Sequence, residues 1–205
     1  MAANPTPLRR RPVQQRSTQR VERMLEACAT LIDELGYDGV TTTLIADRAG
    51  VAVGSLYQFF PDKRAVVQAL TARNLDRFME SVAERMAGAI LEHWWDAVDL
   101  VFDAYVEMFR KVAGFTQIRF GDVVDLRLMD ASRDNNTVIA DRLVTLLGER
   151  FNLPRTDLAL PISVAVEASD GILNLAFRRK TFHEDVVIAE AKRVVRGYLS
   201  SYLED

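Results

Sequence analysis

Three small or hydrogen-bonding residues lie together on one side of a short predicted helix. Gly54, Ser55 and Gln58 face away from the apolar Leu56 and Phe60 at helical spacing. A glutamine can pair bidentately with adenine in the major groove of DNA, and a serine hydroxyl can donate or accept at a base edge. Glycine lowers helix propensity by roughly 1 kcal/mol relative to alanine, which is explained if the backbone must approach DNA closely. These residue types favour the reading of a DNA sequence over catalysis.

Hydroxyl and basic side chains flank this helix at positions suited to phosphate contacts. Thr42 and Thr43 lie in the first turn of the preceding predicted helix, where backbone N–H groups are also free. Tyr57 offers a phenolic hydroxyl, and Lys63 offers a positive charge to the flanking backbone. The alternative interpretation is an ordinary amphipathic surface helix. The predicted DNA-contact residues are Thr42, Thr43, Val53, Gly54, Ser55, Tyr57, Gln58 and Lys63, together with Arg9, Arg10 and Arg11.

The overall charge of −3 conceals a basic N-terminus. Residues 1–20 contain five arginines and no acidic residue. Residues 1–64 hold nine basic and seven acidic residues, a net charge of +2, which leaves −5 for residues 65–205. We expect residues 1–16 to form a flexible basic arm that binds phosphates and the minor groove, although arginine-rich ends can also serve solubility alone.

Two short helices joined by a tight turn must position these groups. Thr41 can cap the first helix, and Gly50 supplies the positive φ that a three-residue turn between crossed helices requires. The second helix is predicted over residues 53–60, because Pro61 stops it. Asp62 then caps the next helix. The pattern predicts a helix-turn-helix within a domain of residues 17–64.

A longer amphipathic helix is predicted before the helix-turn-helix. Ser17 or Thr18 is its expected N-cap, and Gly36 is its expected left-handed C-terminal residue. Cys28 lies on its apolar face, so it is interpreted as a small core residue. Because it is the single cysteine, an internal disulfide is excluded, and with two isolated histidines no metal site is expected.

Residues 41–63 resemble the tetracycline-repressor (TetR) family of bacterial regulators. The shared pattern is a threonine-led helix, Ile-Ala, an Ala-Gly-Val turn, a small residue before Leu-Tyr, an aromatic pair and a lysine. The resemblance covers about residues 17–70. It implies an all-α fold of about nine helices, in which an N-terminal three-helix helix-turn-helix domain precedes a larger ligand-binding domain that dimerises through its last two helices. Phe59 departs from the family pattern, which often has histidine or tyrosine there, so Phe59 is not among the residues expected to contact phosphate.

Residues 65–205 are predicted to form a helical regulatory and dimerisation domain, since their periodicity is helical throughout. Their aromatic and soft side chains exceed what the packing of three helices needs, which suggests a ligand cavity, although such residues are usually core. Two polar residues fall inside an apolar helix, where they meet a ligand or partner or face water. The candidate ligand residues are Trp95, Phe102, Tyr105, Phe109, Phe120, Met129, Asp170 and Asn174.

The last predicted helix, residues 183–203, carries an apolar stripe too wide for one neighbour to cover. We expect it to pack on its own core and on a second subunit. A two-fold dimer would present two recognition helices to successive major grooves and read a palindromic operator.

The function favoured by these patterns is a cytoplasmic DNA-binding repressor that leaves its operator when a small molecule, apolar or aromatic in part, binds the core. Alternatives are an activator, a regulator without a ligand, and a protein-interaction module. An enzyme is not expected, because no serine has a histidine or paired carboxylate at suitable spacing. No cofactor is predicted. No membrane segment is expected, since no run approaches eighteen apolar residues.

Overall fold

The computed structural model describes residues 15–115, 135–178 and 182–203. Arg9, Arg10, Arg11, Phe120 and Met129 lie outside the described residues, as does the side chain of Asn174. Within the described ranges the chain is helical and has no strand, which confirms the all-α class. These ranges hold eight helices, against the nine or so that the resemblance implies. They are α1 (Gln15–Gly39), α2 (Thr42–Ala49), α3 (Val53–Phe59), α4 (Lys63–Gly88), α5 (Trp94–Lys111), α6 (Asn135–Phe151), α7 (Arg155–Arg178) and α8 (Glu184–Leu199).

The chain divides into two compact units. Among the described residues, the first unit contains 15–74 and 111–115, and the second contains 75–110, 135–178 and 182–203. The division falls inside α4, after Asn74, whereas the sequence suggested a boundary after residue 64. The three domain ranges proposed from the sequence remain predictions.

The apolar face of α1 forms the centre of the first unit. Met24, Cys28 and Ile32 are completely buried there. Burial raises the pKa of the Cys28 thiol to about 12, so this thiol stays protonated at neutral pH and belongs to the core.

Both ends of α1 differ from the sequence prediction. The helix begins at Gln15, so Ser17 and Thr18 lie inside it and the predicted N-cap is wrong. Serine and threonine are accommodated inside a helix as well as at its N-cap, so their presence does not fix where α1 starts. Gly36 has the positive φ that was expected, 70°, but its ψ of 167° lies outside the left-handed helical region, and a further helical turn follows to Gly39.

The second unit is built from the end of α4 and from α5 to α8. α6 packs on α7, and α7 packs on α8. Ion pairs join α5 to α8: Lys192 Nζ lies 2.8 Å from Asp103 Oδ1, and Arg110 Nη2 lies 2.7 Å from Glu184 Oε1. α8 ends at Leu199, four residues before the predicted end, and turns continue to Leu203. No helix in the described ranges has the length and apolar character needed to cross a bilayer.

Candidate nucleic-acid interface

Local hydrogen bonds define the two short helices and the turn between them. Thr41 Oγ1 accepts a hydrogen bond from the backbone N–H of Leu44 at 3.2 Å, which confirms the predicted N-cap of α2. Gly50 follows α2 with φ 64° and ψ 40°, so the predicted left-handed turn is confirmed. Asp62 Oδ1 accepts from the backbone N–H of Ala65 at 2.9 Å and caps α4 as predicted.

The inward face of α3 is completely apolar. Leu56 and Phe60 are fully buried, as their spacing predicted, although α3 ends at Phe59 and Phe60 follows it in extended conformation. Phe59 is 6% exposed and also belongs to the core. A phosphate contact through Phe59 would require its ring to leave this core. Val53 is half-buried and packs against the same cluster, so its side chain is less accessible to DNA than those of Ser55 and Gln58.

The outward face of α3 carries the predicted reading residues. Gly54, Tyr57 and Gln58 are exposed, and Ser55 is half-exposed. A Cβ placed on Gly54 would have no described atom within 4 Å, so this glycine is not required by packing inside the first unit. The structure therefore brings Gly54, Ser55 and Gln58 onto one accessible surface.

A hydrogen bond between two hydroxyls connects this surface to α2. Thr42 Oγ1 and Tyr57 Oη lie 3.0 Å apart, and either can donate. The first turn of α2, where Thr43 is also exposed, is thereby fixed against α3. The two hydroxyls can present one joint polar surface to a phosphate. The sequence suggested each residue separately but had no signal for their pairing.

Lys63 has a structural contact that the sequence did not indicate. Its Nζ donates to the backbone carbonyl of Tyr37 at 2.9 Å and lies 4.3 Å from the centroid of the Tyr37 ring. Lys63 therefore fastens the start of α4 to the kinked end of α1, and its ammonium has donors left for a phosphate.

The chemistry available at this surface is that of binding. It offers several hydroxyls, the amide of Gln58 and exposed backbone at Gly54. It also offers the ammonium of Lys63, which uses one donor for the Tyr37 carbonyl. Across the part of the chain that the structure describes, no group of three or more His, Cys, Asp or Glu side chains is placed to hold a metal ion. The surface suits contact with base edges and phosphates.

The candidate ligand residues of the second unit do not all come together. Phe102 and Tyr105 are buried in α5, and Tyr105 Oη donates to Asp170 Oδ1 at a long 3.4 Å. Phe109 is half-buried. Trp95 instead lies between the His93 ring, at 4.0 Å, and the Arg196 guanidinium, at 4.4 Å from the ring centroid.

One buried donor of the second unit belongs to the aromatic residues that suggested a cavity. Trp94 is 4% exposed, and its Nε1 is buried without a hydrogen-bond partner among the described residues. A buried indole N–H usually has a partner, so this group could donate to a bound molecule. Its sequence signal was the aromatic cluster at the start of α5.

Comparison with known proteins gives two family matches that together cover most of the chain. Residues 24–70 match the family model described as "Bacterial regulatory proteins, tetR family". Residues 92–203 match the model described as "Tetracyclin repressor-like, C-terminal domain". A TetR-family transcriptional regulator from Streptomyces coelicolor has a similar solved structure, with 38% identity and a TM-score of 0.77, and the match covers 90% of this chain and 99% of that one.

Curated relatives match through shorter segments. The HTH-type transcriptional repressor KstR of Rhodococcus jostii is 39% identical over 59 residues, which are 29% of this chain and 28% of KstR. The HTH-type transcriptional regulator YvdT of Bacillus subtilis is 29% identical over 82 residues, 40% of this chain and 41% of YvdT. The chain thus spans less than half the length of these curated relatives.

Proposed function

This chain belongs to the TetR family of DNA-binding transcriptional regulators, and from that premise we propose that it is a repressor whose hold on a palindromic operator is released by a small molecule. Its family and its relatives are regulators rather than enzymes. The name of KstR as a repressor supports repression over activation. The alternatives are an activator and a regulator that needs no ligand.

The observation that carries the proposal is the exposed face of α3 above a buried apolar face. Gln58, Ser55 and Gly54 read base edges in the major groove, while Thr42 and Tyr57 hold the flanking phosphates through their joined hydroxyls. Thr43, Val53 and Lys63 complete the contact set. Arg9, Arg10 and Arg11 add contacts to phosphates and to the minor groove. The protein acts in the cytoplasm, where its operator lies.

The proposed dimer uses α7 and α8, and regulators of this family are typically dimers. On α7, Leu160 and Val164 are 68% and 40% exposed on the side opposite its buried residues. On α8, Val186 and Val194 are 57% and 47% exposed. Apolar side chains exposed along two adjacent helices favour burial against a second copy.

The proposed effector binds in the second unit and is apolar or aromatic in part. Phe102, Tyr105 and Phe109 supply apolar surface along α5, and Asp170 supplies a half-buried carboxylate. Trp95, Phe120, Met129 and Asn174 remain candidates from the sequence. Binding would favour one arrangement of the helices and so change DNA affinity.

The direct test is selection of duplexes from a random pool, followed by measurement of affinity for the selected operator. Gln58→Ala is expected to change which sequence is selected, because it removes a bidentate partner of adenine worth about 1–3 kcal/mol of discrimination. Thr43→Ala is the matched control, since Thr43 is exposed in the first turn of α2, where the proposed phosphate contacts lie. It should weaken all duplexes alike and leave the preferred sequence unchanged. Failure of the wild-type protein to enrich any duplex would refute the proposed function, and identical behaviour of the two variants would refute the division of roles.

Gly54→Ala should change protein stability and DNA binding in opposite directions. Alanine has open space at this position and a higher helix propensity, so the free protein should gain up to about 1 kcal/mol in its free energy of unfolding. If the α3 backbone approaches the bases, the added methyl group should lower operator affinity by roughly tenfold or more. Urea denaturation and fluorescence anisotropy measure the two effects. Unchanged affinity in a more stable variant would show that DNA does not approach Gly54 closely.

A further inference from the structure

An open groove of about 720 Å³ lies between α1 and α2 in the first unit. Two small buried residues, Ala27 and Ala49, lie at its base. Gln19, Arg20 and Arg23 of α1 line one side, and Arg48 of α2 lines the other. Arg20 is the last of the five arginines of the basic N-terminus, and the other residues of the groove were not suggested for DNA contact by the sequence. The groove is distinct from the reading face of α3.

The charged residues of this groove differ in how they are engaged. Glu22 and Glu26 also line it, but their carboxylates bind Arg73 Nη1 of α4 at 2.8 and 2.9 Å. Arg48 is held by Glu34 in a bidentate pair with distances of 3.0 and 2.8 Å.

Arg20 and Arg23 are different. Both are exposed, and neither has a hydrogen bond or ion pair with another residue in ranges 15–115, 135–178 and 182–203. Two guanidinium groups whose donors no described residue engages therefore lie at the rim of the groove, and Arg20 is the last of the five arginines of residues 1–20.

We propose that this groove binds the sugar–phosphate backbone of operator DNA, as a second phosphate site independent of sequence. Guanidinium groups match the geometry of phosphate oxygens, and the Gln19 amide can donate to the same backbone. The inference rests on the proposed function, because it assumes that α3 is bound to a duplex.

The length of α2 supports a polyanion as the occupant over a small phosphate-containing ligand. The start of α2 carries Thr42 and Thr43, and its end, Arg48 and Ala49, lines the groove. At 1.5 Å per residue these ends are roughly 10 Å apart. One DNA strand carries a phosphate for about every 3.4 Å of helix axis, so a strand held at the start of α2 has further phosphates within reach of the groove.

The test measures the salt dependence of operator binding for Arg20→Gln, Arg23→Gln and the double variant in the full chain. Each lost phosphate contact should make the slope of log Kobs against log[salt] less negative by about 0.9. At about 0.1 M salt, affinity should fall roughly tenfold per arginine, with the preference for operator over random duplex unchanged. Arg150→Gln, an exposed arginine of α6, is the control for loss of one positive charge. Circular dichroism verifies that each variant is folded.

The outcomes distinguish this inference from the proposed function. A double variant with the wild-type slope and affinity would overturn the groove site while leaving the recognition helix intact. A variant that loses its preference for the operator would also overturn it, because the groove would then read bases. Absence of duplex binding by the wild-type protein would refute the proposed function itself. Ethylation interference gives the position: the double variant should lose phosphates that Thr43→Ala retains.

Discussion

Val194→Glu is expected to convert the proposed dimer to a monomer and to lower operator affinity by about 10²- to 10⁴-fold. Val194 is 47% exposed on α8, so the charge meets water in a free subunit but is buried in the proposed interface. Loss of the partner removes the second recognition helix, and with it the avidity of a two-fold site. Sedimentation at micromolar concentration and anisotropy titration with a full and a half operator measure the two effects.

Ile90→Glu is the control for this prediction. Ile90 is 89% exposed in the segment between α4 and α5, so Ile90→Glu introduces the same charge in the second unit at a position outside helices α7 and α8. It should leave both dimerisation and affinity unchanged. If wild-type protein is a monomer at micromolar concentration and still binds the full operator tightly, the dimer proposal is refuted.

Gly114→Ala is expected to destabilise the first unit by about 2–4 kcal/mol. Gly114 has φ 76°, and a Cβ there would lie 3.0 Å from Ala29 Cα and 3.1 Å from the Ala29 carbonyl oxygen. Both atoms belong to the backbone of α1, so neither can move away cheaply. The Gly114 N–H also donates to Asp33 Oδ2 at 2.8 Å, and a shift of the turn would break this bond. Urea denaturation measures the loss.

The Cys28 thiol gives a local measurement of the same effect. It is fully buried beside Ala29, and its pKa is raised to about 12, so a disulfide reagent can label it only when the first unit opens. Labelling should be faster in Gly114→Ala. Gly88→Ala, where a Cβ meets no described atom within 4 Å, should stay within about 1 kcal/mol of wild type. Equal labelling rates in all three proteins would contradict the packing of Gly114 on α1.

The helix caps and the turn that shape α2 and α3 were predictable from sequence. Thr41, Gly50 and Asp62 each act on backbone groups within four residues, so the residue type nearly determines the geometry. The burial of Leu56 and Phe60 follows from helical spacing in the same way. The start of α1 was predicted incorrectly because Ser17 and Thr18 can cap a helix but can also be accommodated within one.

Contacts between residues distant in sequence were decided by the tertiary structure. Thr42 pairs with Tyr57 across 15 residues, and Lys63 binds the Tyr37 carbonyl across 26. No periodicity encodes such pairs, because each depends on the angle at which two helices cross. The same holds for Arg20 and Arg23, which have no partner among the described residues, whereas the other charged residues of the groove are paired.

The sequence by itself thus determined the helix-turn-helix over residues 41–63 and the side of α3 that faces outwards, since short-range hydrogen bonds and helical period set both. The tertiary structure alone decided that residues 111–115 join the first unit, where Gly114 meets α1 across 81 residues of chain through Asp33. A glycine with positive φ could end any helix. Only the tertiary structure shows that Gly114 must also lack a side chain, because the backbone of Ala29 lies where a Cβ would be.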